Sequence, residues 1–226
     1  MSWLQNYKLY LFDFDGLLVD TEEMHYAAFK RTLLQKGIDL KWDFARYCQI
    51  AHYEADAIIG RLYADYPRLV ELQPSKTALY AEKTEAMLQL INEQKIKLMP
   101  GVEKFLIKLE NAKLTTCVVT HSSDDIVKLI RKQNPVLEKI SHWITREHYN
   151  RPKPYPDSYI TAIQKYSKPG DGVIGFEDTP RGVSALLPTK ATIVLVTKDP
   201  YPEIPSFLSK GVYHYASFED LPDDKL

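Results

Sequence analysis

Short runs of β-branched and aromatic residues alternate with segments of helical period along most of this chain. The runs predict six strands, at Lys8–Phe12, Leu114–Thr120, His142–Thr145, Gly172–Phe176, Thr192–Thr197 and Val212–Tyr215. Segments between them predict helices, at Val102–Asn111, Asp124–Gln133, Asp157–Tyr166 and Pro180–Leu187. Strands that alternate with helices in this way form a parallel sheet with helices on both faces. The sequence therefore predicts an α/β fold built on a doubly wound, Rossmann-like parallel sheet.

Two of these helices begin with residues that favour a helix start. Ser123 stands before Asp124, and a serine side chain at this position commonly accepts a hydrogen bond from a free amide of the first turn. Thr179 stands before Pro180, and proline is favoured at the first helical position. We therefore expect side-chain caps from Ser123 and Thr179.

The alternation stops between Asp20 and Val102, where no segment reads as a strand. A crossover between parallel strands needs only about a dozen residues, so this interval is long enough to hold a module of its own. Helical patterns fill it, at Glu23–Lys36, Asp43–Cys48, Glu54–Asp65 and Lys76–Gln94. The sequence thus predicts a discontinuous α/β core, residues 1–20 and 98–226, with an inserted helical domain at residues 21–97.

Composition narrows the function classes. With 29 basic and 30 acidic side chains the formal charge is -1, which argues against nucleic acid or an anionic membrane as the main partner. The longest apolar runs, such as Ile193–Val196, are too short to cross a bilayer. Cys48 and Cys117 are far apart in sequence and predict no disulfide framework. We expect an enzyme of the cytoplasm, with no obligatory protein partner evident.

Two carboxylates follow the first predicted strand. Asp13 and Asp15 stand one residue apart in a loop that also contains Gly16. Loops at the carboxyl ends of parallel strands hold the ligand site in open α/β sheets. Two acids this close repel each other unless a cation or a shared proton relieves them, and Mg²⁺ prefers oxygen ligands. Taken alone, the pair also fits two ordinary loop acids beside a turn.

The other predicted strand ends carry polar residues as well. Thr120 ends one strand and precedes His121, Ser122 and a helix start, where free amides suit phosphate oxygens. Lys153 lies between prolines that restrict its loop. The paired acids Glu177 and Asp178 end a third strand. Because these groups fall at one predicted edge of the sheet, they favour a catalytic site over isolated loop residues.

These residues resemble the four motifs of the haloacid dehalogenase-like superfamily. The motifs are Asp13-x-Asp15-Gly-Leu-Leu-x-Asp20, Thr120, Lys153-Pro-x-Pro-Asp157 and Glu177-Asp178. The helical insertion after the first motif is similar to the cap domain of the β-phosphoglucomutase-like branch. The resemblance spans nearly the whole chain, while the inserted domain is matched only in kind.

The resemblance implies a role for each motif residue. Asp13 would be the nucleophile and Asp15 the general acid and base, with Thr120 and Lys153 completing the catalytic set. The residues implied for substrate binding are Thr120, His121, Ser122 and Lys153. Mg²⁺ is the implied cofactor, held by Asp13, by Asp15 through its main-chain carbonyl, and by Glu177 and Asp178. His121 also fits a capping or solvent-facing side chain.

The resulting hypothesis is a Mg²⁺-dependent phosphatase that acts on a small phosphorylated metabolite, such as a sugar phosphate, through an aspartyl-phosphate intermediate. A β-phosphoglucomutase-like sugar phosphomutase is the alternative, because it would use the same core. Mutases of this branch tend to place a basic residue on the cap, and the segment Gln49–Glu54 contains neither Lys nor Arg. A binding protein without activity is a third hypothesis, although no chemical residue is missing. His25 fits either a helix surface or a cap residue that reaches the active site.

Overall fold

The computed structural model describes residues 1–53 and 57–224. The chain forms two compact units, one made of residues 1–20 and 97–226, the other of residues 21–96. We call them the α/β unit and the helical unit. The role of the helical unit as a cap stays a prediction.

The α/β unit contains a parallel sheet of six strands. The strands are β1 (Leu9–Phe12), β2 (Thr115–Val119), β3 (His142–Ile144), β4 (Val173–Glu177), β5 (Thr192–Val196) and β6 (Tyr213–Tyr215). Their order is β3-β2-β1-β4-β5-β6, and every neighbouring pair is parallel. The predicted α/β class is confirmed, and each strand end lies within one residue of its predicted position.

The described residues form ten α-helices, numbered along the chain. Those of the helical unit are α1 (Glu22–Gln35), α2 (Phe44–Ala51), α3 (Ala57–Asp65), α4 (Arg68–Leu72) and α5 (Lys76–Glu93). Those of the α/β unit are α6 (Val102–Asn111), α7 (Asp124–Gln133), α8 (Asp157–Tyr166), α9 (Pro180–Leu186) and α10 (Ile204–Ser209). The predicted helix Glu54–Asp65 starts outside the described residues. In the part of the chain that the structure describes, no helix is both long and apolar enough to cross a membrane.

The centre of the sheet is buried on both faces. All four residues of β1 are fully buried, and β1 pairs with β2 on one side and β4 on the other. A parallel strand covered by helices on both faces reads as a continuous apolar run, which is why Leu9–Phe12 shows no polar alternation. This position places the residues after β1 at the middle of the sheet edge.

The two predicted helix caps have different outcomes. The Thr179 side chain accepts a hydrogen bond from the Gly182 amide at 3.4 Å, with Pro180 at the start of α9, as predicted. The prediction that Ser123 caps α7 is wrong, because in the described structure its side chain forms no capping hydrogen bond. Instead, the Thr145 hydroxyl donates to the Asp124 carboxylate at 2.7 Å, and this acid in the first turn suits the positive end of the helix dipole.

The helical unit has its own apolar core. Its centre includes Leu33, Leu62, Leu69 and Leu79, which are completely buried. Ser75 caps α5 by accepting a hydrogen bond from the Ala78 amide at 3.2 Å. The helix α4 was not predicted, because five residues are too few to show a helical period.

Candidate active site

The loop after β1 places the first two carboxylates. The Asp13 amide donates to the Phe176 carbonyl at 3.0 Å, which continues the sheet pairing by one residue. Gly16 has φ 81°, a left-handed conformation that glycine adopts easily, and its amide donates to the Val19 carbonyl at 2.9 Å. The loop therefore turns directly after Asp15. The Asp13 side chain is buried within the α/β unit.

A buried lysine lies at the centre of the site. Lys153 Nζ donates to Asp13 Oδ1 at 2.7 Å, to Glu177 Oε1 at 2.6 Å and to the Val119 carbonyl at 2.9 Å. An ammonium group has three donors, so these contacts use all of them. Lys153 is only 3% exposed, and its charge is therefore compensated by the two carboxylates. This cation links motifs from three separate strand ends.

Three carboxylates form a group that could hold a metal ion. Carboxylate oxygens of Asp13, Glu177 and Asp178 all lie within 4.8 Å of one another. Glu177 is completely buried and Asp178 is 6% exposed. Closely spaced carboxylate oxygens suit a hard divalent cation such as Mg²⁺, so the residues present fit the predicted cofactor. The Asp15 side chain is not part of this group, and the role of its main-chain carbonyl stays a prediction.

Burial and neighbouring charges, taken together, raise the pKa values of both Asp13 and Lys153. Burial, opposed by Lys153 and reinforced by Glu177, raises the pKa of Asp13 to about 7. Burial alone would lower the pKa of Lys153, but the charges of Asp13 and Glu177 raise it above its ordinary value. Without a metal the site thus favours a proton on a carboxyl group while the lysine stays charged. A divalent cation can replace that proton.

The Asp15 carboxylate is held by two hydroxyl groups. The Thr120 hydroxyl donates to Asp15 Oδ2 at 3.1 Å, and the Ser122 hydroxyl donates to the same oxygen at 2.7 Å. The Ser122 amide donates to Thr120 Oγ1 at 2.9 Å. Thr120 and Ser122 are both buried. The structure therefore brings three predicted residues together and fixes the orientation of the Asp15 carboxylate.

His121 contacts the backbone of the lysine loop. The Lys153 amide donates to His121 Nε2 at 2.8 Å. Burial lowers the pKa of His121 well below its ordinary value, and the charges of Arg181, Lys153 and Arg146 lower it further. A neutral ring that accepts at Nε2 carries its proton on Nδ1. In this structure the ring therefore positions the loop that delivers Lys153.

Two residues of the site were missed by sequence reasoning. The Tyr159 hydroxyl donates to Glu177 Oε1, and the whole tyrosine side chain is buried. Gly182 lies so close to Glu177 that an added Cβ would be 1.9 Å from Glu177 Oε2. A glycine inside a predicted helix was the available signal, because such a residue often marks a close approach.

His25 belongs to the helical unit. Lys83 Nζ lies 2.6 Å from His25 Nδ1, so the ammonium group donates to the imidazole ring. Lys83 is 3% exposed. The structure therefore excludes a purely solvent-facing histidine, and it leaves the reach of His25 toward substrate a prediction.

The parallel sheet and its strand-end carboxylates define an α/β enzyme with an acidic, lysine-containing site. The family model described as haloacid dehalogenase-like hydrolase matches residues 10–196, which is most of the chain. The chain belongs to the haloacid dehalogenase-like hydrolases. The predicted family is thereby confirmed.

Curated relatives include named phosphatases. The chain is 29% identical over 194 residues to a probable pseudouridine-5'-phosphatase from Drosophila melanogaster, covering 82% of this chain and 80% of that protein. It is 26% identical over 183 residues to the fructose-1-phosphate phosphatase YqaB from Escherichia coli, covering 80% of this chain and 92% of that one. These matches confirm the prediction that the chain is an enzyme of this hydrolase family, with phosphatases among its relatives.

Solved structures share the fold. The structure of a CbbY variant from Rhodobacter sphaeroides in complex with xylulose-(1,5)bisphosphate has a TM-score of 0.78 and 23% identity, covering 95% of this chain and 96% of that one. At this level of identity the match shows the fold alone. It includes both the sheet and the inserted helices, because it spans nearly all of each chain.

Mg²⁺ is expected to raise the melting temperature more at about pH 8 than at about pH 5.5. The pKa of Asp13, raised to about 7 in the fold, means that the folded protein binds a proton that the unfolded chain has lost. This contribution to stability is complete at low pH and disappears as the pH rises through about 7. Mg²⁺ needs the ionised carboxylate, so it replaces the missing proton only at high pH. Thermal scans with Mg²⁺ and with chelator at both pH values check this, and an equal shift at both would contradict it.

Replacing His121 by alanine is expected to lower kcat about tenfold or more, because small displacements of a catalytic group are costly. The change removes the acceptor of the Lys153 amide and loosens the loop that positions the ammonium group. His121→Gln offers a side-chain oxygen to the same amide and should restore part of the loss. Steady-state kinetics of both variants test this, and equal activity of His121→Ala and wild type would refute it.

Proposed function

We propose that the protein is a Mg²⁺-dependent phosphatase that hydrolyses a small phosphorylated metabolite, a sugar phosphate or similar phosphomonoester, through an aspartyl-phosphate on Asp13. The observation that carries the proposal is the buried Lys153 ammonium group, which forms ion pairs with both Asp13 and Glu177. Phosphoryl transfer depends mainly on positioning and on the neutralisation of negative charge. A lysine between the proposed nucleophile and a proposed metal-ligand carboxylate would supply both the positioning and the positive charge.

In the first step a carboxylate oxygen of Asp13 attacks phosphorus, and the bond from phosphorus to the leaving oxygen breaks. Asp15 donates a proton to that leaving oxygen. In the second step water attacks the phosphorus of the aspartyl-phosphate, Asp15 accepts the proton of the water, and the bond from Asp13 to phosphorus breaks. The hydroxyl groups of Thr120 and Ser122 support this role, because they orient the Asp15 carboxylate.

The proposed Mg²⁺ ligands are the carboxylates of Asp13, Glu177 and Asp178, with the main-chain carbonyl of Asp15 as a further ligand. When bound, the ion would offset the negative charge of the nucleophile and the phosphate. Tyr159 donates to Glu177 and so holds this ligand in place. The pKa of Asp13, raised by burial to about 7, supports a cation at this position.

The proposed phosphate-binding residues are Thr120, His121, Ser122 and Lys153. Each of Thr120 and Ser122 has one O–H donor, so one of these hydroxyl groups can turn to a phosphate oxygen while the other keeps the Asp15 carboxylate in place. The first turn of α7 follows them, and free amides at a helix start suit an anion. Lys153 would share its charge between Asp13 and the transferring phosphoryl group. His121 acts on this set through the Lys153 amide.

The proposed substrate class rests on relatives named for a pseudouridine phosphate and a fructose phosphate, both phosphomonoesters of small metabolites. The helical unit is proposed as a cap that contributes to substrate choice. Location in the cytoplasm, from the two distant cysteines, stays a prediction.

The test is phosphate release from a panel of sugar, glycerol and nucleoside monophosphates. Wild type and Asp13→Asn are compared, each with Mg²⁺ and with chelator. Release that needs both Asp13 and the metal supports the proposal. Interconversion of two sugar phosphates without release would identify the mutase instead. Binding of a phosphorylated ligand with no turnover would favour the protein without activity.

A further inference from the structure

The helical unit contains a second group of metal-ligating side chains. Glu22 is the first residue of α1, Cys48 lies in α2, and His52 is the C-cap residue of α2. One ligand atom from each, a carboxylate oxygen, the thiol sulfur and an imidazole nitrogen, lies within 4.8 Å of the others. None of the three has a role in the proposed phosphoryl transfer, so the group needs an explanation of its own.

The backbone holds these side chains together. The His52 amide donates to the Cys48 carbonyl at 2.9 Å, which continues the helical turn and places the two side chains on one face. His52 Nε2 lies 2.5 Å from Glu22 Oε1, so this contact joins the end of α2 to the start of α1. His52 is 5% exposed, while Cys48 and Glu22 are half-buried. The three side chains thus already lie close together, and only His52 is buried.

We propose that Glu22, Cys48 and His52 bind a Zn²⁺ ion. Thiolate, imidazole and carboxylate are the side chains that bind zinc, and three of them with water in the fourth position form a tetrahedral site. Typical zinc–ligand bonds place the ligand atoms about 3.3–3.8 Å apart. The observed atoms lie between 2.5 Å and 4.8 Å apart, so shifts of about 1 Å would complete the site.

The proposed zinc site and the carboxylate group of the α/β unit differ in the metal that their ligands prefer. The group of Asp13, Glu177 and Asp178 offers only carboxylate oxygens and suits Mg²⁺. A thiolate and an imidazole instead favour Zn²⁺ and its transition-metal neighbours. Zinc binding needs the thiolate form of Cys48, so the thiol proton would pass to solvent as the metal binds.

A hydrogen-bonded pair that only joins two helices is the competing explanation. It accounts for His52 and Glu22, and it leaves Cys48 as a side chain packed against the apolar core of the helical unit. The two explanations differ in what Cys48 does. If zinc is bound, the sulfur is a ligand; if not, its replacement leaves metal uptake unchanged.

Titration of the full chain with Co²⁺ in excess Mg²⁺ distinguishes them. Cobalt bound to a thiolate gives a sulfur-to-cobalt charge-transfer band, which an all-oxygen site cannot produce. We expect this band at one equivalent, its loss on addition of Zn²⁺, which binds more tightly than Co²⁺, and its absence in Cys48→Ser. Cys117→Ala is the matched control, because Cys117 lies in β2 of the α/β unit, and it should retain the band.

His52→Asn and Glu22→Gln each remove one ligand and should weaken cobalt binding about tenfold or more. Asp178→Asn alters the oxygen site and should leave the band unchanged. Circular dichroism establishes that each variant is folded. Lack of a charge-transfer band in folded wild type, or a band that persists in Cys48→Ser, would overturn the proposal.

Discussion

Replacing Asp13 by asparagine is expected to abolish turnover and, at the same time, to stabilise the metal-free protein. The Asp13 carboxylate is the proposed nucleophile, and an amide oxygen cannot form the acyl phosphate. Loss of a covalent nucleophile can lower kcat by a factor on the order of 10⁶. Asparagine keeps an oxygen that can accept the hydrogen bond from Lys153, so the loss would come from chemistry and not from a collapsed site.

The stabilisation follows from the same burial that prepares Asp13 for a metal. Because burial raises the pKa of Asp13 to about 7, an ionised carboxylate at this position costs free energy when no cation is bound. The neutral amide removes this cost. The melting temperature of Asp13→Asn in chelator should therefore exceed that of wild type by a few degrees at about pH 8, and the difference should shrink at about pH 5.5, where Asp13 is already protonated.

Asp20→Asn is the matched control. Asp20 ends the same motif, and its side chain is exposed, so its replacement should change neither activity nor the pH dependence of stability. Phosphate release and thermal scans of the three proteins check both parts. An Asp13→Asn variant with substantial phosphate release would exclude the aspartyl-phosphate mechanism. One that is inactive yet no more stable at high pH would show that Asp13 is not a destabilising charge.

The sheet could be predicted because burial leaves a clear pattern in the sequence. Strands covered on both faces must be apolar throughout, so β1 and its neighbours stand out as short runs between helices of regular period. The short helices α4 and α10 could not be predicted this way, because neither is long enough to repeat its apolar face. Ser123 shows a second limit, since a residue of the right type at a helix start need not form the cap.

The main residues of the candidate site could also be predicted, because topology alone brings them near one another. Parallel strands end at one edge of the sheet, so Asp13, Thr120 and Glu177 had to lie at the same edge. The contacts among these side chains could not be predicted from the sequence. That Tyr159 donates to Glu177, or that His121 accepts from the Lys153 amide, depends on rotamers and loop paths that no sequence pattern records.

Gly182 is the clearest contact of this kind, and its replacement by alanine is expected to disable the metal site. The added Cβ would lie 1.9 Å from Glu177 Oε2 and 2.0 Å from Glu177 Cδ. The carboxylate cannot move aside freely, because it is completely buried and accepts hydrogen bonds from Lys153 and Tyr159. Either Glu177 leaves its position or α9 shifts away from β4.

Either response would change the distance between the proposed metal ligands. Glu177 is the last residue of β4, and Asp178 lies between β4 and α9, so a shift of Glu177 or of α9 would move one ligand relative to the other. A displacement of about 1 Å in a catalytic group can lower the rate about a hundredfold, so we expect a loss of at least this size in kcat/KM, with weaker Mg²⁺ dependence. Overpacking of a buried site should also lower the free energy of unfolding by about 1–3 kcal/mol.

Gly60→Ala provides the matched comparison, because nothing lies within 4 Å of the position of its added Cβ. Gly60 lies within α3, and alanine in a helix interior is favoured over glycine by about 1 kcal/mol. The same chemical change should therefore stabilise the protein at one position and disable it at the other. Mg²⁺ titrations of phosphate release, with denaturant unfolding of both variants, measure the contrast. A Gly182→Ala variant with the Mg²⁺ affinity and rate of wild type would show that Glu177 need not occupy its observed position, and the proposed ligand set would then have to be revised.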